Sequence, residues 1–302
     1  MSNCVKLALL GGDMRQLSVV RELTALGFDV HLWGIDRAFC SVADISPESS
    51  WEEAIEDCRA LILPLPVSYD GVRVNCPLLS EFEGVKLSKV LDRLSKDIPV
   101  LGGKISSTIM TMFTEYGVKC SDYFLREELQ IKNAVPTAEG AIALAMNELP
   151  ITLSGAKAAV LGYGRIGKIL AHKLKVLDVD VTVAARKNED LAFAESYGFH
   201  GLHLDYSGDV NSLEALTNGY DVIFNTIPFL VLGKTVIDKL STSTLIIDLA
   251  SAPGGVDFNA AKARQLKVLQ ALSLPGKCSP YTAGKIISQT IIQILEEEGI
   301  VI

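Results

Sequence analysis

Histidine is scarce in this 302-residue chain, its cysteines are scattered, and it holds no long run of apolar residues or of one charge. Each of these shortages excludes something. Of the four histidines, His31 and His203 fall in expected strands, His172 on an expected helix and His200 near a turn, so none is assigned to catalysis. The cysteines (Cys4, Cys40, Cys58, Cys76, Cys120 and Cys278) form no CxxC pair and have no histidine at ligand spacing. A metal site is therefore without support, and most of the thiols read as reduced, buried small hydrophobes of a cytosolic protein. The net charge of −8 is dispersed and leaves no basic stripe, which argues against nucleic acid as a partner. The apolar stretch VKLALL ends at Gly11-Gly12 after six residues. That is too short for a signal core or a membrane span, and it reads as a first strand.

What is present is enough apolar material, 49% of the residues, for two ordinary domains. The most informative stretch is GYGRIG at 162–167. Residues 157–161 read as a buried strand and 165–177 as a helix, so the loop between them supplies Gly162, Tyr163, Gly164, Arg165, Ile166 and Gly167. In a Rossmann unit the first glycine makes the turn, the second admits a pyrophosphate and the third lets the helix pack on its strand. A second strand at 179–184 completes the βαβ unit. Where an acidic residue would hold an adenosine ribose 2′-hydroxyl, this chain has Ala184, Ala185, Arg186 and Lys187. Two cations suit a 2′-phosphate, so NADP(H) is expected over NAD(H).

The two halves share one plan. KLALLGGDMRQ at 6–16 and KAAVLGYGRIGK at 157–168 both read as strand, glycine turn and helix start. Further strands are expected at 28–33, 60–63 and 98–101, then at 221–225, 244–248 and 267–271. Helices are expected near 51–57, 86–94 and 107–116. Such alternation implies an α/β protein with two doubly wound parallel-sheet domains, the second a Rossmann dinucleotide-binding domain. The expected divisions are a flavodoxin- or Rossmann-like substrate domain at 1–135, a bridging helix at 136–150, the NADP-binding domain at 151–278 and a helix at 279–302 returning to the first domain. Thr137 is the expected N-cap of the bridging helix, after Pro136 and ahead of Pro150. The first glycine turn lacks a third glycine and carries Asp13, whose charge would repel a pyrophosphate. Arg15 beside it is a candidate to fork a carboxylate.

Several segments together resemble the A-subunit family of bacterial dipicolinate synthase: GGDMRQ (11–16), DYFLREELQIKNAVPTAEGAI (122–142), GYGRIG with AAR (184–186), and LPGKCSPYTAGKI (274–286). The likeness spans essentially the full length, and 122–142 is its specific part. It implies NADP-dependent oxidation of dihydrodipicolinate, or of its hydroxytetrahydro precursor, to dipicolinate. It also implies a partner in the form of a separate B subunit, a place in the mother-cell cytoplasm of a sporulating bacterium, no membrane association, and self-association into a homo-oligomer.

Such a reaction needs cations for two carboxylates, and the candidates are Arg15, Lys104, Arg126 and Lys285. Lys104 follows a glycine edge that could open toward a cleft, and Arg126 lies in the family-like segment. For proton transfer the candidates are Glu127, Glu128 and Glu139, the last in the expected first turn of the bridging helix, where it could equally serve as a cap. Thr137 could cap that helix or donate to a substrate carboxylate. On the cofactor side, Asn225-Thr226-Ile227-Pro228 and Asp248-Leu249-Ala250-Ser251 follow strands and are expected under the nicotinamide ribose, with a loop at 274–276 closing over the ring. Two other readings stand: a hydroxyacid- or amino-acid-type dehydrogenase, and an NADP-binding regulatory or scaffold subunit whose partner does the chemistry.

Overall fold

The structure is a computed structural model that describes residues 4–40, 45–80, 84–204, 215–217 and 219–301. The chain divides into two units. The first comprises Met1–Asn133 and Ser279–Ile302, the second Ala134–Cys278.

In the first unit, short apolar runs and one polar edge segment become parallel strands: β1 (Lys6–Leu10), β2 (Asp29–Trp33), β3 (Ala60–Ile62), β4 (Val100–Gly102) and, at the edge, β5 (Cys120–Asp122). Their order is β2-β1-β3-β4-β5, and every pairing is parallel. The crossover helices are α1 (Met14–Ala25), α2 (Arg37–Cys40), α3 (Trp51–Ile55), α4 (Leu87–Arg93) and α5 (Ser107–Glu115). Local chemistry sets where they start. Asp13, Ser50 and Ser106 each accept a backbone N–H at the head of α1, α3 and α5.

The next helix, α6 (Glu127–Glu148), carries the chain from the first unit into the second and holds Pro136 in its interior. It corrects the expected bridging helix at 136–150. Proline lacks the N–H for the carbonyl four residues back, which costs about 3 kcal/mol inside a helix. Burial on either side of the proline offsets that cost, Leu129 in the first unit's core and Ala138, Ala141 and Ala145 in the second's. Thr137 is accordingly a buried mid-helix residue and not an N-cap.

The second unit is a six-stranded parallel sheet: β6 (Lys157–Leu161), β7 (Asp180–Ala185), β8 (His200–His203), β9 (Val222–Asn225), β10 (Leu245–Asp248) and β11 (Val268–Gln270). The order β11-β10-β9-β6-β7-β8 reverses direction between β6 and β9, as in a doubly wound dinucleotide-binding sheet. Around it lie α7 (Arg165–Val176), α8 (Asn188–Ser196), α9 (Lys234–Ile237), α10 (Phe258–Ala263) and α11 (Leu274–Cys278). The last of these corrects the expected loop at 274–276, which is helical.

Helix α12 (Pro280–Glu297) belongs to the first unit and packs along α1. Pro280 stands at its start, where a missing N–H costs nothing. A Cβ on Gly284 would collide with the carbonyl of Arg15 and with Ser18, so glycine sets the closeness of the two helices. Ile287, Ile291, Ile294 and Leu295 are buried in the same core as Leu17, Val20 and Leu23. Each such side chain stabilises by about 1.5–3 kcal/mol.

Candidate nucleotide and carboxylate sites

The glycine loop of the second unit uses its three glycines differently. Gly162 has φ +94°, outside the range most side-chain-bearing residues adopt, and a Cβ there would lie 2.5 Å from Thr226 Oγ1. At Gly167 a Cβ would strike the carbonyl of Gly162. Both glycines are demanded by the fold. Gly164 is not: its φ of −80° suits any residue, and nothing lies within 4 Å of the Cβ it lacks. It is the N-cap of α7, whose first turn has neither a side-chain cap nor an acidic residue. The bare helix start, with open space before it, suits a pyrophosphate.

Beside this loop a cavity of about 500 Å³ is lined by Gly162, Tyr163, Ala185, Arg186, Lys187, Asp190, Ile227 and Phe229. It joins the glycine turn to the end of β7. Arg186 is exposed and forms no ion pair among the described residues, whereas Lys187 lies 3.5 Å from Glu189. Ile227 and the half-exposed Phe229 give the cavity an apolar wall fit for a flat ring. The Tyr163 ring is 4% exposed, stands edge-on to Phe199 and lies beneath the Lys168 ammonium. Burial pushes its phenol above the usual value. Ile166 is partly buried against the core, and Arg165 opens α7.

The loops after β9 and β10 are tied to each other. Asn225 Nδ2 donates to Asp248 Oδ1 at 2.8 Å and to the Ile227 carbonyl at 3.0 Å, while Asn225 Oδ1 accepts from Ile227 N–H at 3.1 Å. Asp248 also accepts the N–H groups of Ala250 and Gly255, each at 3.2 Å. Both side chains are fully buried. They shape the strand ends, so these loops offer a ligand main chain together with Thr226, Ile227, the exposed Pro228 and Ser251; Ala250 is buried. The Thr226 hydroxyl donates back to Leu161 at 2.8 Å.

In the first unit the strand order reverses between β1 and β3, and polar groups gather at that carboxyl edge. Arg15, the candidate to fork a substrate carboxylate, is largely buried and already forks one of the chain's own. Its Nε and Nη2 fork onto Asp13 at 2.8–3.1 Å, and Nη2 also reaches the carbonyl of Leu65. That leaves Nη1 without a described partner. Asp13 caps α1 and neutralises Arg15, which accounts for a charged acid in a glycine turn. The loop after β3 also binds the turn after β4: Gly103 N–H donates to the Pro64 carbonyl at 3.1 Å and Val67 N–H to the Gly103 carbonyl at 3.0 Å. Below them the buried Tyr123 hydroxyl donates to the Leu63 carbonyl at 3.1 Å. Desolvation raises its pKa against the opposing pull of Arg15. Gln16, also buried, has a side-chain nitrogen with no partner among the described residues. Lys104 leaves β4 exposed and unpaired among the described residues.

The other candidates lie elsewhere. Arg126 is bound through both terminal nitrogens to Glu297, with Nη1 at 3.0 Å. Glu139 is in the interior of α6, not a first turn, and pairs with Lys173 at 2.8 Å. Lys173 is eight residues into α7, roughly 12 Å along the axis from the glycine loop. Glu127 and Glu128 are in the true first turn of α6. Lys285 is 3.8 Å from Glu22 on the α1–α12 face. His31 contacts Glu48 at 2.6 Å, His200 contacts Asp180 at 3.2 Å, and His172 packs edge-on to Tyr197 and Phe199. Asp122 precedes Tyr123 in a segment whose sequence carries no pattern that marks it out.

Residues 6–124 match the family model described as the N-terminal domain of the dipicolinate synthase A subunit, and residues 157–252 the one described as NADP oxidoreductase coenzyme F420-dependent. The dipicolinate synthase A subunit of Bacillus subtilis (strain 168) is 32% identical over 293 residues, covering 97% of this chain and 96% of that protein. The crystal structure of the dipicolinate synthase A subunit from Bacillus halodurans is similar with a TM-score of 0.86 at 28% identity, covering 96% of this chain and 97% of its own. The corresponding crystal structure from Bacillus subtilis gives a TM-score of 0.86 at 31% identity, covering 99% and 98%.

Proposed function

Because the chain belongs to the family of the dipicolinate synthase A subunit, we propose that it oxidises dihydrodipicolinate to dipicolinate with NADP⁺ as the hydride acceptor. The balance is one hydride and one proton lost from the ring per dipicolinate formed. Starting from the hydroxytetrahydro precursor, one water leaves first. The nicotinamide, when bound, supplies the acceptor carbon, and aromatisation of the product makes the transfer downhill.

The observation that carries the reading is the end of β7. Ala185 and Arg186 stand on the same cavity as Gly162, with no acid at the carboxyl end of the strand to claim a ribose 2′-hydroxyl. Arg186 would hold a 2′-phosphate, and the start of α7 beside Gly164 the pyrophosphate. Asp190 borders the cavity from the first turn of α8 and is the residue that would favour NAD⁺ instead. In the first unit Lys104 supplies a cation for one carboxylate, and Arg15, already paired with Asp13, its remaining nitrogen as a donor to the other. Glu139 and Arg126 are spent in ion pairs with Lys173 and Glu297 and have no part in this scheme. The chain acts as one subunit of a two-subunit synthase.

The test is absorbance at the reduced-nicotinamide band after mixing the chain alone with NADP⁺ and freshly made 4-hydroxytetrahydrodipicolinate. NADPH appearing together with dipicolinate supports the reading. Tight NADP⁺ binding without turnover moves the chemistry to the partner subunit.

A further inference from the structure

The carboxylate of Asp122, the last residue of β5, serves three backbone donors. Its Oδ1 accepts the N–H of Lys104 at 3.0 Å and of Phe124 at 2.9 Å, and its Oδ2 accepts the N–H of Ile105 at 2.8 Å. Asp122 lies opposite Gly102 in the β4–β5 pairing, so the carboxylate spans the turn that leaves β4. That turn is unusual at one point. Lys104 has φ +53°, the left-handed region, which costs a residue with a side chain on the order of 1–2 kcal/mol.

The residues before Lys104 are closely packed and hydrogen-bonded. A Cβ on Gly102 would come within 2.6 Å of Val67, and one on Gly103 within 2.6 Å of the Tyr123 ring. Gly103 is further held through both its N–H and its carbonyl. The turn is thus fixed from below by Tyr123, from one side by the loop after β3 and from the other by Asp122. A glycine at 104 would fit this backbone without strain. Lysine stands there instead, its side chain exposed at the carboxyl edge of the sheet and unpaired among the described residues.

We infer that Asp122 is a positioning residue: it fixes the left-handed turn that presents the Lys104 ammonium to a substrate carboxylate, and so sets the affinity for the dicarboxylate. This rests on the reading of Lys104 as a carboxylate cation. Asp122 itself, its carboxylate turned onto three backbone donors, acts through the turn and not on the substrate.

The experiment is a double-mutant cycle on the full chain, with pyridine-2,6-dicarboxylate as probe and Kd read by calorimetry, NADP⁺ affinity and thermal unfolding being followed in parallel. Lys104→Met should weaken the probe about tenfold or more, the worth of one charge-assisted contact. Asp122→Asn should also weaken it, and the double variant should bind no worse than Lys104→Met alone, with NADP⁺ affinity unchanged throughout. Losses that multiply in the double variant, or an Asp122→Asn variant that binds like the parent, overturn the inference while the reading of Lys104 stands. A parent chain that does not bind the probe, or a Lys104→Met variant that binds it normally, overturns both. Should Asp122→Asn fail to fold, Asp122→Glu, which keeps the charge but displaces the acceptor oxygens, carries the same cycle.

Discussion

Asn225 and Asp248 meet across the ends of β9 and β10 with Nδ2 and Oδ1 2.8 Å apart, and neither side chain touches solvent. One amide and one carboxylate thereby satisfy Ile227, Ala250 and Gly255 as well. Removing the amide leaves the buried Asp248 carboxylate with only its two longer backbone bonds. Asn225→Leu should therefore destabilise the protein by roughly 3 kcal/mol, the cost of a buried carboxylate without its principal donor. Denaturant unfolding measures it, and a loss under about 1 kcal/mol would mean that water replaces the amide.

Cofactor affinity and stability should separate at the glycine loop. Gly164→Ala introduces no clash, so the melting temperature should hold while NADP⁺ binding weakens. Gly167→Ala forces the start of α7 away from Gly162 and should lower both. Arg186→Ala should weaken NADP⁺ by about tenfold to a hundredfold and leave NAD⁺ nearly unaffected. Equal losses for the two cofactors would remove the 2′-phosphate from the account.

Helix α12 is part of the first unit's core. Ile291→Ala should cost about 2–5 kcal/mol, the range for a buried aliphatic truncated to alanine. Gly284→Val should separate α12 from α1 and lower stability further than Gly284→Ala. A surface-like cost below about 0.5 kcal/mol for Ile291→Ala would contradict the observed packing.

The thiols should show the effect of their surroundings. Desolvation raises Cys58 to about 11 and both Cys76 and Cys120 to about 12. Because these folded values exceed the ordinary value of 9.0, the thiols favour the folded state fully below pH 9, and that contribution is lost as pH rises toward 12. At about pH 8 an alkylating reagent should modify the exposed Cys4 and Cys278 and leave these three intact until denaturant is added. Rapid native alkylation of Cys76 would show that its environment is wetter than its position implies.

Much of this was legible in the residues. KAAVL and VDVTVA are short apolar runs bounded by turns, and each became a central strand because a buried parallel strand needs apolar residues on both faces. Strands β5 and β8 escaped notice for the converse reason. CSD and HGLH lie at sheet edges, half-buried or exposed, where no apolar run is required. Pro136 misled because a proline usually marks a helix boundary, whereas here burial on both sides carries α6 through it. The glycine loop could be located by spacing alone. The side chains around Arg15 could not: that Asp13 occupies its guanidinium, or that Asp122 reaches Lys104 from eighteen positions away, is a property of the folded chain.

The interleaving of the units in sequence bears on the order in which they can be completed at the ribosome. Domains ordinarily settle from the N-terminus as the chain emerges. Here the first unit is made first but lacks α12 until its last residues are synthesised, while everything that forms the second unit has already appeared. The inserted unit can therefore finish before the unit that surrounds it in sequence. Until then the apolar face of α1 destined for Ile287, Ile291 and Ile294 is open to chaperones, and a stop codon a few turns early would leave it so permanently.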